Sequence, residues 1–218
     1  DMLTTICDDT IGSFIDVTSF YQAWGGCDKL TSIPEGLFRY AIKATDFTYA
    51  FQGSGITSLG ANLFKNCLSA ENFSGMFQAC KSLAELNENV FAGCSTVRNM
   101  SDVFHGCDAL VTLPDNLFND MVNVTTFESA FANCMGLTTI PSGLFKKNTE
   151  VQNFRWCFNL CNSLTEIPAG LFDYNVKAEN FEYIFNNCAN LNIIPEKLFS
   201  KNINAKNFSN VFSNWRHR

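Results

Sequence analysis

The cysteines are the residues of this sequence with the widest range of possible chemistry. The chain has ten of them in 218 residues, but only two histidines, His105 and His217. Cysteine thiolates bind metals, form disulfides and act as nucleophiles. Six cysteines share one column of a repeat, which a serine and a tryptophan complete: Cys27, Ser54, Cys80, Cys107, Cys134, Cys161, Cys188 and Trp215. A position that accepts serine and tryptophan is typical of packing, so we predict that these cysteines are small core residues.

Disulfide, metal and catalytic roles of the cysteines each need a second group. Cys67 and Cys94 share another column in adjacent copies, which leaves a disulfide between them open. Zinc needs four converging ligands, whereas a column offers a row, so we expect no metal site and no cofactor. A nucleophilic cysteine needs a partner base, and His105 follows Phe104, a core position, so its ring is expected to point outward. We therefore expect no catalytic residues and no enzyme.

A repeat of about 27 residues determines where all of these side chains lie. All five prolines and 21 of the 22 phenylalanines fall on four of its positions. The period continues from one end of the chain to the other, which predicts a single elongated unit over residues 3–215 and no domain boundary. The eight copies begin at Leu3, Leu30, Ile56, Leu83, Leu110, Leu137, Leu164 and Leu191.

Two periodicities within each copy predict its local structure. Apolar residues recur at i, i+3, i+4 and i+7, as in Phe127, Ala130, Phe131 and Cys134, which is typical of one face of a short helix. Ser, Asp, Asn or Thr precedes the first aromatic position in every copy (Met100 in the fourth), and we predict helix N-caps there. Two apolar residues bracket two polar ones before proline, as in residues 164–168, which indicates a short strand. These predictions give an α/β solenoid of eight coils, with short parallel strands on one side and short helices on the other.

Two stretches carry a family resemblance. Residues 97–110 (VRNMSDVFHGCDAL) and 131–141 (FANCMGLTTIP) resemble the repeats of BspA-like leucine-rich-repeat surface proteins and the related mycoplasma-lipoprotein-type repeats. The resemblance covers nearly the whole chain. It implies a right-handed leucine-rich-repeat superhelix with a parallel sheet along one side, and a cell-surface or secreted protein of a bacterium or protist. Members are associated with adhesion, and the family has no catalytic motif to transfer.

Charge and hydropathy restrict the classes of partner that we expect for this chain. The net charge of −6 and the scattered distribution of 15 basic residues make a nucleic-acid partner unexpected, because phosphate binding needs clustered Lys and Arg. No apolar run approaches the ~18–20 residues of a membrane span, so direct membrane insertion of this segment is not expected. Since the chain starts and ends in mid-pattern, we expect it to be a fragment of a longer exported protein.

Two surfaces are candidates for binding. Trp156 and Tyr183 occupy one outward position in adjacent copies, beside Arg155 and Glu182, and Tyr49 occupies the same position in an earlier copy. Exposed aromatic residues stack on sugars or anchor protein partners; alternatively, these rings pack against flanking repeats.

The second candidate surface is a threonine-rich strip formed by the polar pairs of the predicted strands. It includes Thr139 and Glu166, and one residue of each pair is expected to line the exposed sheet. The alternative is that threonine is present for its strand propensity.

The sequence as a whole indicates a non-enzymatic binding or adhesion module of a bacterial cell-surface or secreted protein. Its ligand would be a host or microbial protein or glycan. The alternative is a structural spacer or a self-associating scaffold without a ligand of its own. A third reading is a cytosolic repeat scaffold.

Overall fold

A computed structural model describes residues 3–7 and 14–214. Ile11, Trp215 and His217, which the repeat register and the metal analysis include, lie outside the described residues. The described chain is a stack of coils, because its parallel bridges join residues at the same position of the repeat, 26 or 27 residues apart. The right-handedness of the superhelix stays a prediction.

A ladder of parallel bridges runs along the stack at the residue before the first aromatic position of each copy, which Met100 fills in the fourth. Asn153 shows the pattern: its N–H donates to the Thr125 carbonyl at 3.2 Å, and the Phe154 N–H donates to the Asn180 carbonyl at 2.9 Å. Each bridge is a single residue wide. The eight members of the ladder are Ser19, Asp46, Asn72, Asn99, Thr126, Asn153, Asn180 and Asn207.

Short parallel strands lie before the proline position. β1 (Ser58–Leu59) pairs in parallel with β2 (Glu85–Leu86), and an isolated parallel bridge joins Glu166 to Ile193 in later coils. The predicted location and parallel direction of these strands are confirmed. The strands are only two residues long, because the bracketing apolar residues turn inward within each coil.

The predicted helices are wrong: none occurs in residues 3–7 or 14–214. Residues 127–134 and their equivalents, called here the turn segment, form consecutive β-turns, as in the bonds from Ala130 N–H to Phe127 O (3.1 Å) and Cys134 N–H to Phe131 O (3.2 Å). Alternate amides leave the coil, as Ser129 N–H donates to Arg155 O of the next coil at 2.8 Å. A helix needs all of its amides for its own i→i−4 bonds, so this pattern excludes it.

Two positions of every turn segment adopt left-handed backbone. Ser129 and Asn133 have φ of 55° and 60°. Each is the third residue of a β-turn, where a positive φ is the mark of the type II form. Equivalent residues in the other coils are also positive in φ, and they include Trp156 (57°), Tyr183 (57°) and Leu160 (61°). Residues other than Gly are strained at positive φ, so the backbone hydrogen bonds between coils must hold the chain in this conformation.

The predicted N-cap residues are hydrogen-bond acceptors, but they cap turns instead of helices. Asn153 Oδ1 accepts from the Arg155 N–H at 3.0 Å, and Asn180 Oδ1 accepts from the Glu182 N–H at 3.0 Å. All eight members of the ladder accept from the N–H two residues later. These are Asx and Ser/Thr turns, which the same residue types favour.

Stacked phenylalanines form most of the core. Phe131 is fully buried, and its ring lies 5.6 Å from Phe104 and 5.4 Å from Phe158, nearly parallel to both. A tilted contact of 6.0 Å joins it to Phe118 of a second column. The core therefore continues from coil to coil without a break.

A buried polar column replaces apolar residues in the last three coils. Asn148, Asn175 and Asn202 are buried, and Asn175 Nδ2 donates to the carbonyls of Phe145 (3.1 Å) and Asn148 (2.9 Å) in the preceding coil. The sequence analysis missed this role. Its signal was available, because asparagine fills the same apolar position in three successive copies.

Replacing Phe131 by Ala should lower the free energy of unfolding by about 3–5 kcal/mol, because it opens a cavity between two stacked rings. Urea denaturation measures this change. Tyr174→Ala is the matched control, since Tyr174 is 51% exposed and its loss should change stability by less than about 0.5 kcal/mol. Equal losses in the two variants would contradict the column.

Replacing Asn153 by Ala should cost about 1 kcal/mol, because the Arg155 N–H loses its acceptor. Asn153→Thr should retain most of this stability, since Thr126 makes the same turn contact in the preceding coil at 3.1 Å. Thermal unfolding midpoints compare the two variants. Identical midpoints for the alanine and threonine variants would show that the contact contributes nothing.

Candidate binding surface

The structure brings Trp156 and Tyr183 together. They occupy the first left-handed position of adjacent turn segments, and their ring centroids lie 6.1 Å apart at a 52° tilt. The Trp156 N–H donates to the Glu182 carbonyl at 2.9 Å, which fixes the two coils against each other. Both residues are half-buried, so part of each remains accessible to solvent.

Arg155 covers one side of this pair. Its guanidinium carbon lies 3.9 Å from the centroid of the Trp156 ring, within the range of a cation–π contact. Arg155 Nε lies 2.9 Å from Glu182 Oε2 and Nη1 lies 3.6 Å from Glu128 Oε1. The Nε–H is not aligned with the Glu182 oxygen, so that contact is an ion pair without a well-formed hydrogen bond.

Glu128 is a member of the cluster that sequence reasoning missed. It occupies the position of Arg155 one coil earlier, and Asn153 Nδ2 donates to its Oε2 at 3.0 Å. The signal was its spacing from Arg155, which equals one repeat. We call Glu128, Arg155, Trp156, Glu182 and Tyr183 the Trp156 cluster; its three ionic side chains sum to one negative charge.

A shallow depression adjoins the Trp156 cluster. It has a volume of about 330 Å³, and its lining mixes polar and apolar side chains in about equal measure. The His105 ring faces this surface, as expected from its outward orientation, and Nδ1 lies 3.0 Å from Asp102 Oδ1. The lining residues are His105, Ser129, Ala132, Asn133, Trp156, Asn159 and Leu160.

Tyr49 is not part of the Trp156 cluster. It lies in the second coil, whereas Trp156 lies in the sixth. The Tyr49 ring extends over Gly75, where an added Cβ would fall 2.2 Å from it, and its centroid is 6.4 Å from that of Tyr21. Glycine at this left-handed position therefore makes room for the tyrosine of the preceding coil.

Thr139 and Glu166 lie on the proline side of the coils, in the segment of the short strands. Both are exposed, and their partners Thr138 and Thr165 also reach the surface, although only one residue of each pair was expected there. Each pair forms too short a strand for either of its two residues to be buried. The Thr138 hydroxyl donates to the Val111 carbonyl at 3.1 Å, which favours a structural role for that threonine.

The cysteine columns are structural. The Cys134 thiol donates to the Phe104 carbonyl of the preceding coil at 3.1 Å, and burial raises the pKa of this thiol to about 12. Five thiols in the column make the same contact: Cys80, Cys107, Cys134, Cys161 and Cys188. Burial also raises the pKa of Cys161 well above its usual value. A neutral, hydrogen-bonded thiol is a poor nucleophile and a poor metal ligand.

The disulfide left open by the sequence is not formed: Cys67 and Cys94 are buried free thiols, and burial raises the pKa of Cys67 to about 12. In the described ranges, no group of three or more His, Cys, Asp or Glu side chains is placed to hold a metal ion. Within the same ranges, no helix has the length and apolar character needed to cross a membrane.

Stacked coils of 26–27 residues, with short parallel strands before a proline and a phenylalanine core, define a leucine-rich-repeat solenoid with a polar and aromatic outer surface. The chain belongs to the family of BspA type leucine rich repeat regions, whose sequence pattern matches residues 31–214 in six copies. The resemblance stated from the two motifs is therefore confirmed. Repeat regions of this family are interaction modules in general.

Several solved structures are similar at low identity. They include the Drosophila Toll–Spatzle complex (17% identity, TM-score 0.30, 81% of this chain and 31% of that chain) and the TLR13–ssRNA13 complex (13%, 0.34, 86% and 41%). A leucine rich repeat protein of T. pallidum is 18% identical with a TM-score of 0.31, over 93% of this chain and 85% of that chain. This chain thus spans less than half of the first two. Comparison with curated proteins gave no significant match.

A thiol-reactive reagent should modify Cys7 and Cys27 quickly in the native protein, since these are exposed and half-buried, and should reach the eight buried thiols only on unfolding. Ellman titration with and without guanidinium counts both classes. Fast reaction of any further thiol would contradict the structural role of the columns. A total of eight thiols after unfolding would indicate a disulfide.

Proposed function

We propose that this chain is a non-enzymatic binding module of a cell-surface or secreted protein, and that its ligand binds at the Trp156 cluster. The single observation that carries the proposal is the placement of Trp156 and Tyr183 at left-handed backbone positions with Arg155 stacked on the indole. The core does not require aromatic residues there, because Gly75, Asp102 and Ser129 occupy the same position in other coils.

The cluster has the composition of a binding hot spot. Trp, Tyr and Arg are the residues that most often dominate interface energies. The backbone that carries the rings is held by inter-coil bonds at the Trp156 and Tyr183 amides, so little backbone entropy is lost when a ligand contacts them. The ion pairs of Arg155 keep its guanidinium in one orientation above the indole.

The partner class follows from charge. The overall charge of −6 and the negative sum of the cluster favour a neutral or basic ligand, so we propose a protein or a glycan on a host or neighbouring cell. The exclusion of nucleic acid rests on this charge argument alone, and the test below therefore includes a nucleic-acid arm.

The second candidate is a structural spacer or self-associating scaffold. It is favoured by the continuous core, which makes the solenoid rigid along its length, and by the surface hydroxyls that bond back to the backbone. The two functions differ in their response to surface substitutions, because a spacer tolerates any change that leaves the columns intact.

The test is binding of the purified chain to a panel of extracellular-matrix proteins, glycans and single-stranded nucleic acid, measured by biolayer interferometry. Trp156→Ala/Tyr183→Ala should weaken any specific binding by roughly 30-fold or more, as expected for two hot-spot residues. Tyr174→Ala removes an exposed ring from another part of the coil and should leave binding unchanged.

Thr139→Ala/Glu166→Ala forms the comparison for the threonine-rich strip. Binding that survives the aromatic double variant but fails in this one would move the site to the strip. Binding to none of the panel would favour the spacer. Circular dichroism of each variant shows whether the fold is retained.

A further inference from the structure

A row of exposed aliphatic side chains runs along a different part of the coils. It lies at the tip of a four-residue turn that is closed in every coil by a bond such as Val124 N–H to Met121 O (3.3 Å). Six of its eight members are large and apolar, and these are between 41% and 86% exposed. We call this row the tip stripe: Ile15, Ile42, Leu68, Ser95, Val122, Thr149, Val176 and Ile203.

The tip stripe differs from the other outward columns. The column that contains Arg155 has Thr48, Ser74 and Ser101 in earlier coils, as expected for a solvated surface. One exposed aliphatic residue is ordinary, but six in the eight positions of one column form an extended apolar surface, interrupted only by Ser95 and Thr149. This surface needs a partner that is itself long, straight and apolar.

The turn tips are rigid enough to act as a preformed surface. The Ser69 hydroxyl donates to the Ile42 carbonyl at 2.9 Å, and Asn123 Nδ2 donates to the Ser95 carbonyl at 2.8 Å. Asn204 makes the same contact with Val176 at 2.8 Å. These three tips, and Leu68 through the Thr96 hydroxyl at 3.2 Å, are thereby tied to the turn of the next coil, which keeps their side chains in line.

A second column beside the tip stripe carries the charges that would select the partner. Lys43 pairs with Asp16 at 2.7 Å, and Lys177 pairs with Glu150 at 2.6 Å. Between these two ion pairs the column is neutral. In chain order its members are Asp16, Lys43, Ser69, Thr96, Asn123, Glu150, Lys177 and Asn204.

The order of charges along this column is complementary to the same column read in the opposite direction. If two copies lie face to face with the stripes antiparallel, a two-fold axis at the fourth coil places Asp16 opposite the partner's Lys177. The same axis places Lys43 opposite the partner's Glu150. If the axis is shifted by half a coil in one direction, Lys43 lies opposite the partner's Lys177, which places like charges together. If it is shifted by half a coil in the other direction, Asp16 lies opposite the partner's Glu150, again with like charges together. Only the axis at the fourth coil therefore pairs opposite charges throughout.

We propose that the tip stripe is a dimer interface between two copies of this chain, antiparallel and centred on Ser95. An isologous contact of this kind is the commonest form of homo-oligomer. Burial of the aliphatic side chains supplies the attraction, and the flanking charges fix the register. In this register Leu68 faces the partner's Val122, and Ile15 faces the partner's Val176.

The size of the tip stripe determines how tightly the two copies are expected to bind each other. From Ile15 to Val176 it spans six coil steps, roughly 29 Å at about 4.8 Å per step. It is narrow, so the buried area falls toward the small end for specific interfaces, and we expect a dimer that dissociates on dilution. The interface uses a segment of the coil separate from the turn segment, so the dimer does not require residues of the Trp156 cluster.

Cysteine cross-linking tests both the dimer and its register. In a Cys7→Ser/Cys27→Ser background, which removes the two accessible thiols, Ser95→Cys should oxidise rapidly to an intermolecular disulfide, because the two residues meet at the axis. Thr149→Cys is the matched control from the same column: alone it should cross-link at least tenfold more slowly, whereas mixed with Ile42→Cys it should form heterodimers. Equal cross-linking of Ser95→Cys and Thr149→Cys would overturn the register.

Sedimentation velocity over a concentration series tests the interface without a cross-link. The wild type should shift from monomer to dimer, and Leu68→Asp should weaken the dimer about tenfold or more, because a buried carboxylate must lose its hydration. Leu68 is 60% exposed in the single chain, so this variant should keep its fold. A wild type that sediments as a monomer throughout, or an unaffected Leu68→Asp dimer, would overturn the proposal.

Discussion

The structure depends on the way in which each turn segment divides its amides. In residues 127–133 every second N–H donates to the next coil, while the alternate amides from Ala130 onward close turns within the coil. Neither set alone would hold the segment, since isolated turns are weak and an isolated bridge is a single residue wide. Together they satisfy the backbone hydrogen-bonding groups of the segment, and they force residues 27 positions apart into contact. Register between coils is thus fixed by backbone bonding before any side chain contributes.

The side-chain columns extend this dependence on the neighbouring coil. The Cys134 thiol and the Asn175 amide both bond carbonyls of the preceding coil, and Arg155 pairs with acidic residues on both sides. The buried thiol and amide donors of one coil are therefore satisfied only if the preceding coil is present. Stability in such an array is a sum of nearest-neighbour terms, so a defect in one column weakens two interfaces and leaves distant coils intact.

Much of the fold could be predicted from the sequence, and the errors have physical causes. The phenylalanine columns, the parallel strands before the proline and the acceptor role of Asn153 follow from residue type and spacing. The helices do not, because four-residue turns place the same i, i+3, i+4 and i+7 side chains inward as a helix does. Side-chain spacing does not show where an amide donates. Of the candidate binding surface, the sequence located Arg155, Trp156, Glu182 and Tyr183, but it separated neither Tyr49 from them nor Thr139 from the structural threonines.

The aromatic residues at the left-handed positions are the strongest reason to look for function on the outer surface. Gly, Asn and Asp accept a positive φ at the lowest energy, and they fill this position in several other coils. Trp156 and Tyr183 are strained there, and their half-buried rings contribute less to the core than a buried phenylalanine does. Stability alone would therefore replace them. The stack of Arg155 on the indole recovers part of the cost, but both residues remain only half-buried. Residues kept at an energetic disadvantage in an otherwise regular array are best explained by contacts that the isolated chain does not make.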